Sequence, residues 1–129
     1  MEIQSAPSGI RVARTGTADL RPWPGDVRTN VSGDPETSGE FLWRSADGRS
    51  ASGVWEVTPG VFDTTYPWEE TFYILEGAVR LTDQDGETLS VGAGDQVFVS
   101  IGSTVRWDVG ENLRKVFHIR ADEPIGGAE

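Results

Sequence analysis

Along Ser103–Gly110, STVRWDVG, apolar and polar residues alternate without a break. Val105, Trp107 and Val109 fall on one face; Thr104, Arg106 and Asp108 fall on the other. A period of two is the repeat of a strand, whose successive side chains point to opposite sides. The pattern predicts a strand here with its apolar face turned inward. Glu70–Gly77, ETFYILEG, alternates differently: Glu70, Phe72 and Ile74 share one face, Thr71, Tyr73 and Leu75 the other, and both faces are rich in apolar groups. Such a strand is expected to be covered on both sides, by its own barrel within and by another segment or a second subunit without.

The same reading finds strands in Gly39–Ser45, Ala51–Gly60, Ala78–Gly86, Glu87–Asp95, Gln96–Gly102 and Arg114–Ala121. Gly9–Arg14, GIRVAR, alternates and reads as a short edge strand, while Arg21–Asp26 and Val31–Gly39 are rich in Pro, Gly and Asp and read as loops. Past residue 51 the turn signals recur roughly every 8–12 residues, the spacing of an all-β sandwich or barrel. No stretch predicts a helix, and no internal repeat suggests two fused barrels. The expected organisation is an N-terminal arm with short strands packing on the barrel (1–38), a single barrel (39–121) and a frayed tail (122–129).

Composition narrows the function. At 129 residues the chain is of single-domain size. Its net charge of −10 is concentrated after residue 50, and there is no basic stripe. That argues against nucleic acid and against anionic membrane surfaces as partners. Cysteine is absent, which excludes disulfides, thiol catalysis and Cys-based zinc sites. No signal peptide is expected from Met1–Ala6 and no apolar run approaches the ~18 residues of a membrane span, so a cytoplasmic location is expected.

Few residues offer chemistry. Glu70 shares a face with Phe72 and Ile74, where a carboxylate is costly unless paired, hydrogen-bonded or bound to a ligand. The bland alternative places it at the strand mouth, reached by water. His118 is the sole histidine. It would serve as a general base, but a single His on a terminal strand is more simply a partly buried, hydrogen-bonded residue. Tyr66, Trp68, Phe72, Tyr73 and Trp107 suit core packing, and also a barrel mouth shaped for a planar or apolar small molecule.

The stretch Tyr66–Val109, YPWEETFYILEGAVRLTDQDGETLSVGAGDQVFVSIGSTVRWDV, resembles the cupin superfamily, in its small single-domain branch related to ureidoglycine aminohydrolase and the ethanolamine-utilisation cupins. The resemblance implies an antiparallel double-stranded β-helix, the RmlC-like jelly roll. A typical cupin holds one metal through two His and a Glu from its first motif and a His from its second. With six residues between it and Gly77, the family's glutamate falls on Glu70. The preceding ligand positions fall on Thr64 and Tyr66, or on Asp63 and Thr65 if the gap is one longer. The fourth falls on Val105, with Ser100 at the usual proline and Gly102 at the glycine.

One ligand of four therefore remains, and hydroxyl groups are poor ligands for the usual divalent ions. Asp63 beside Glu70 would hold only a hard ion such as Mg or Ca, and weakly. The expectation is a degenerate metal site with no cofactor and a pocket built from Thr64, Tyr66, Trp68, Glu70, Phe72, Ile74, Val105 and Trp107. The protein would bind a small molecule and form a homodimer. Two alternatives stand beside this. One is a metal-independent isomerase, lyase or cyclase with Glu70 as general acid/base and Tyr66 assisting. The other is a metal-dependent cupin enzyme of the ureidoglycine aminohydrolase type.

Overall fold

The alternation past residue 51 is realised as strands, and earlier strands join them. The computed structural model describes residues 9–23 and 28–125, in which all regular structure is β. The strands are β1 (Arg21–Pro22), β2 (Arg28–Ser32), β3 (Thr37–Arg44), β4 (Ser50–Val57), β5 (Gly60–Thr65), β6 (Glu69–Glu76), β7 (Ala78–Thr82), β8 (Thr88–Gly92), β9 (Gln96–Val99), β10 (Thr104–Val109) and β11 (Leu113–Arg120). A six-stranded sheet runs β1-β3-β4-β11-β6-β9 and a five-stranded sheet runs β2-β5-β10-β7-β8. Every described pairing is antiparallel. The fold is all-β, as the alternation predicts, and a jelly roll, as the resemblance implies. No helix among the described residues is long and apolar enough to cross a membrane.

The structure departs from the sequence pattern at two places. Gly9–Arg14 forms no strand; Ile10 is 95% and Val12 67% exposed, because alternation without a partner strand leaves the backbone unpaired. Arg21–Pro22, Val31–Ser32 and Thr37–Ser38, expected in loops, belong to strands that pair with β3, β5 and β4 respectively, while Pro24–Asp26 lies outside the described residues. In the segment expected to fray, Ile125 is buried and donates its N–H to the Gly48 carbonyl at 2.7 Å; residues 126–129 lie outside the described part.

The inner faces of the two sheets meet in one apolar core. Trp107 of β10 stands at its centre, 1% exposed, stacked on Phe62 (5.8 Å between centroids), edge to face with Trp55 and tilted against Phe72 (5.5 Å each). Its partners come from both sheets, so this ring ties the layers together. Gly53 of β4 makes room at one end of the core. A Cβ there would press against the Glu40 carbonyl oxygen and lie 2.6 Å from Phe117 Cζ. Without it, Phe41 and Phe117, both opposite Gly53 on the flanking strands, meet edge to face at 5.7 Å.

The outer face of the six-stranded sheet is partly covered by the chain itself. Arg114 reaches out from β11, ion-pairs with Glu56 at 2.8 Å and donates to the backbone carbonyls of Thr15 and Ala18. This fastens the irregular 14–18 segment across the sheet. Tyr73 on the same face of β6 stays exposed.

Candidate functional site

Between the sheets lies a cavity lined by Thr64 and Phe62 of β5, Tyr66 and Trp68 of the β5–β6 connection, Glu70 of β6, Trp107 of β10, Trp55 of β4, Lys115 and Phe117 of β11, and Trp23. Its free volume is about 50 Å³. The wall comes mostly from large rings, with one carboxylate and one ammonium set into it.

The carboxylate is Glu70, 5% exposed. Alternation along β6 turns it inward with Phe72 and Ile74, so it is a buried acid rather than one at a wet strand mouth. The ammonium is Lys115, the sole lysine of the sequence and also 5% exposed. Leu113, Lys115, Phe117 and Ile119 all point inward from β11. Lys115 is paired with Ile74 and Glu70 with Ile119, four residues further along β11, or about 13 Å at the rise of a strand. The two side chains extend toward each other over the paired Phe72 and Phe117 and meet, Lys115 Nζ to Glu70 Oε2, at 2.5 Å. Just before Lys115 the β11–β6 register slips between Arg114 and Lys115, leaving Leu75 of β6 as an extra residue. A bulge of this kind re-aims the neighbouring side chains.

Four rings surround the ammonium. Nζ lies 4.3 Å from the Phe72 centroid, 4.6 Å from Trp55, 5.0 Å from Trp107 and 5.9 Å from Phe117. All four are within cation–π range, which offsets part of the lost hydration. The other oxygen of Glu70 accepts from Trp68 Nε1 at 3.1 Å. Each carboxylate oxygen thus has a protein donor, the condition under which a buried ion pair is tolerated.

Tyr66 is buried beside them. Its backbone is fixed from both sides, N–H to the Ser103 carbonyl at 2.9 Å and carbonyl from the Gly102 N–H at 2.8 Å. Burial, and next the negative charge of Glu70, push its phenol well above its ordinary pKa near 10, so it stays protonated; the Trp107 indole N–H, which approaches the phenol oxygen as a donor, acts in the opposite direction. That approach falls short of a well-formed hydrogen bond, so the buried Trp107 Nε1–H is left without a good acceptor among the described residues.

Of the residues singled out in the sequence, Thr64, Tyr66, Trp68, Glu70 and Trp107 line this cavity. Phe72, Ile74 and Val105, also expected there, are buried in the core but off its lining. Phe72 packs against the Trp107 ring at 5.5 Å and under the Lys115 ammonium at 4.3 Å. Trp23, Trp55, Phe62, Phe117 and Lys115 were not foreseen. Only Lys115 carried a signal: a charge on the strand face of Phe117 and Ile119. His118 points outward, exposed, with Nδ1 2.8 Å from Ser52 Oγ. Asp63 also faces outward, where Arg106 grips it through Nε (2.8 Å) and Nη2 (3.1 Å).

The cupin resemblance implies a metal, and the residues present do not fit one. Glu70 is already bonded to an ammonium, Asp63 and His118 face away, and Val105 offers no donor. No group of three or more His, Cys, Asp or Glu side chains suited to a metal occurs among the described residues. A lone carboxylate with hydroxyl groups does not hold a transition ion tightly.

Comparison with known proteins gives the fold its relatives. The EutQ protein of Clostridium difficile is similar over 68% of this chain and 70% of its own, at 21% identity and TM-score 0.61. A protein of unknown function from Pseudomonas syringae, of the DUF861 family, is similar over 80% of this chain at 26% identity and TM-score 0.70; the match spans only 45% of that protein. The polyketide cyclase RemF of Streptomyces resistomycificus is similar over 91% of this chain and 83% of its own, at 20% identity and TM-score 0.60. No curated protein matches significantly. The family model described as EutQ-like cupin domain matches residues 44–117, more than half of the chain, and the protein is therefore a member of the EutQ-like cupin family.

Proposed function

We propose that this cupin binds a small metabolite in its aromatic cavity without a tightly held metal ion. One observation carries the reading: both oxygens of Glu70 already accept from protein donors, Lys115 and Trp68, so a metal would have to displace a buried ammonium. The aromatic lining with a few polar groups is the usual make-up of a small-molecule site. The test is metal analysis of protein prepared without added metal, together with native mass spectrometry for a retained ligand. Less than about a tenth of an equivalent of metal is expected. A stoichiometric transition ion lost together with Glu70→Gln would overturn the reading.

A second reading uses the same residues for catalysis: Glu70 as general acid/base and Tyr66 as hydrogen-bond donor, in isomerase, lyase or cyclase chemistry on a small polar metabolite. It is favoured by the phenol of Tyr66 being held protonated beside a carboxylate. The likeness to RemF is one of fold and adds nothing to this choice. Glu70→Gln separates the two readings. An enzyme would lose on the order of 10²–10⁴ in rate, while a binder would retain ligand.

A further inference from the structure

The charges and hydrogen-bond donors of the cavity narrow what it holds. Lys115 and Glu70 neutralise each other inside a shell of rings. A charged ligand placed beside them would leave one buried charge uncompensated, which is strongly unfavourable. A neutral ligand leaves the balance intact.

The groups left with spare capacity are donors. Among the described residues the Lys115 ammonium has one hydrogen-bond partner, Glu70, and an ammonium carries three N–H groups. Trp107 Nε1–H is buried and its approach to the Tyr66 phenol falls short of a well-formed hydrogen bond, and its ring lies 5.0 Å from the ammonium. Both oxygens of Glu70, the carboxylate on the lining, are already in use. Two neighbouring groups with donor capacity to spare are open to one oxygen from outside. The free space of about 50 Å³ admits only a few non-hydrogen atoms at the ~10–15 Å³ a water needs by the same measure. The oxygen-bearing end of a ligand therefore enters, and the remainder lies flat against lining rings such as the partly buried Trp23 and Trp68.

We propose that the cavity selects an uncharged, flat ligand through a single carbonyl-type oxygen, as in an amide, lactam or ketone, held by N–H groups of Lys115 and Trp107 while the Lys115–Glu70 pair stays intact. Lys115 then supplies from the chain itself the fixed positive charge that an ion supplies in a metal-binding cupin. The inference rests on the binding reading above.

Three probes of matched shape test it: benzamide, benzoate and benzylammonium. Each is titrated into the whole protein while the tryptophan indole N–H resonances are followed by NMR, with the Trp107 signal assigned by its loss in Trp107→Phe. Binding on the order of millimolar is expected for probes this small. Benzamide should bind at least about tenfold more tightly than either charged probe and should move the Trp107 indole resonance. Trp107→Phe, which keeps the ion pair, should weaken benzamide by about tenfold and preserve the preference for the neutral probe. Benzoate or benzylammonium binding as well as benzamide would overturn the proposal, as would benzamide binding that leaves the Trp107 resonance in place. A protein that shows no saturable shift with any of the three overturns the binding reading itself.

Discussion

The ammonium of Lys115 and the carboxylate of Glu70 meet at 2.5 Å, both groups 5% exposed, although their backbones stand four residues apart along β11. Removing one partner strands the other. Lys115→Met should cost about 3–5 kcal/mol, since it leaves a buried carboxylate with only Trp68 as donor. Glu70→Leu should cost a similar amount for the stranded ammonium. The double variant should recover most of the loss, because an apolar pair of similar volume often matches or exceeds a buried ion pair. Urea denaturation of all four proteins gives the coupling energy, and strictly additive losses would show that the two groups do not interact.

Tyr66 gives the protein an alkaline weakness. Its pKa in the folded state is raised by burial and by Glu70, so the folded protein keeps a proton that the unfolded chain releases near pH 10. Its contribution is full below that pH and is lost progressively as pH rises above it. The melting temperature of the native protein should therefore fall between pH 9 and about 11 more steeply than that of Tyr66→Phe. Parallel curves would mean that the phenol ionises freely in the folded state.

Asp63 should behave as a surface residue. Hydrogen bonds and charge from Arg106 hold its carboxyl below the usual range. Its stabilisation is present above the unfolded value and is lost as pH falls through the lower, folded one. The pair is partly exposed, so Asp63→Asn should cost less than about 1 kcal/mol, and less still in high salt. Probe binding in the cavity should not change, and a marked change would return Asp63 to the site.

Gly53 should resist substitution even though its backbone is ordinary for a strand. Gly53→Ala would push the new Cβ into the Glu40 carbonyl and Phe117. The expected loss is about 1–3 kcal/mol from overpacking. Because Phe117 lines the cavity, the variant should also bind benzamide more weakly. Thermal melts and the same NMR titration check both effects.

Much of the barrel was legible because alternation is local: Val105, Trp107 and Val109 carry their inward direction in their own spacing. Glu70 was legible as an inward acid for the same reason. Arg28–Ser32 was not, since its residues show no alternation and it is a strand only through pairing with β5. The cavity was half legible. Trp55, Phe62 and Phe117 look like any core aromatics, and only the meeting of the two sheets brings them around one space. Lys115 was not legible as a lining residue because a lysine is ordinarily a surface residue. The signal was there in its alternation with Phe117 and Ile119, but its partner Glu70 lies 45 residues away in the chain.

That buried position has a practical consequence for labelling. The sequence holds no other lysine, so no side-chain amine stands on the outside of the folded barrel. An acylating reagent too bulky to enter the cavity must find the barrel open before it modifies Lys115. The rate of that modification is a clock for opening of the cavity, read at one atom without any engineered tag.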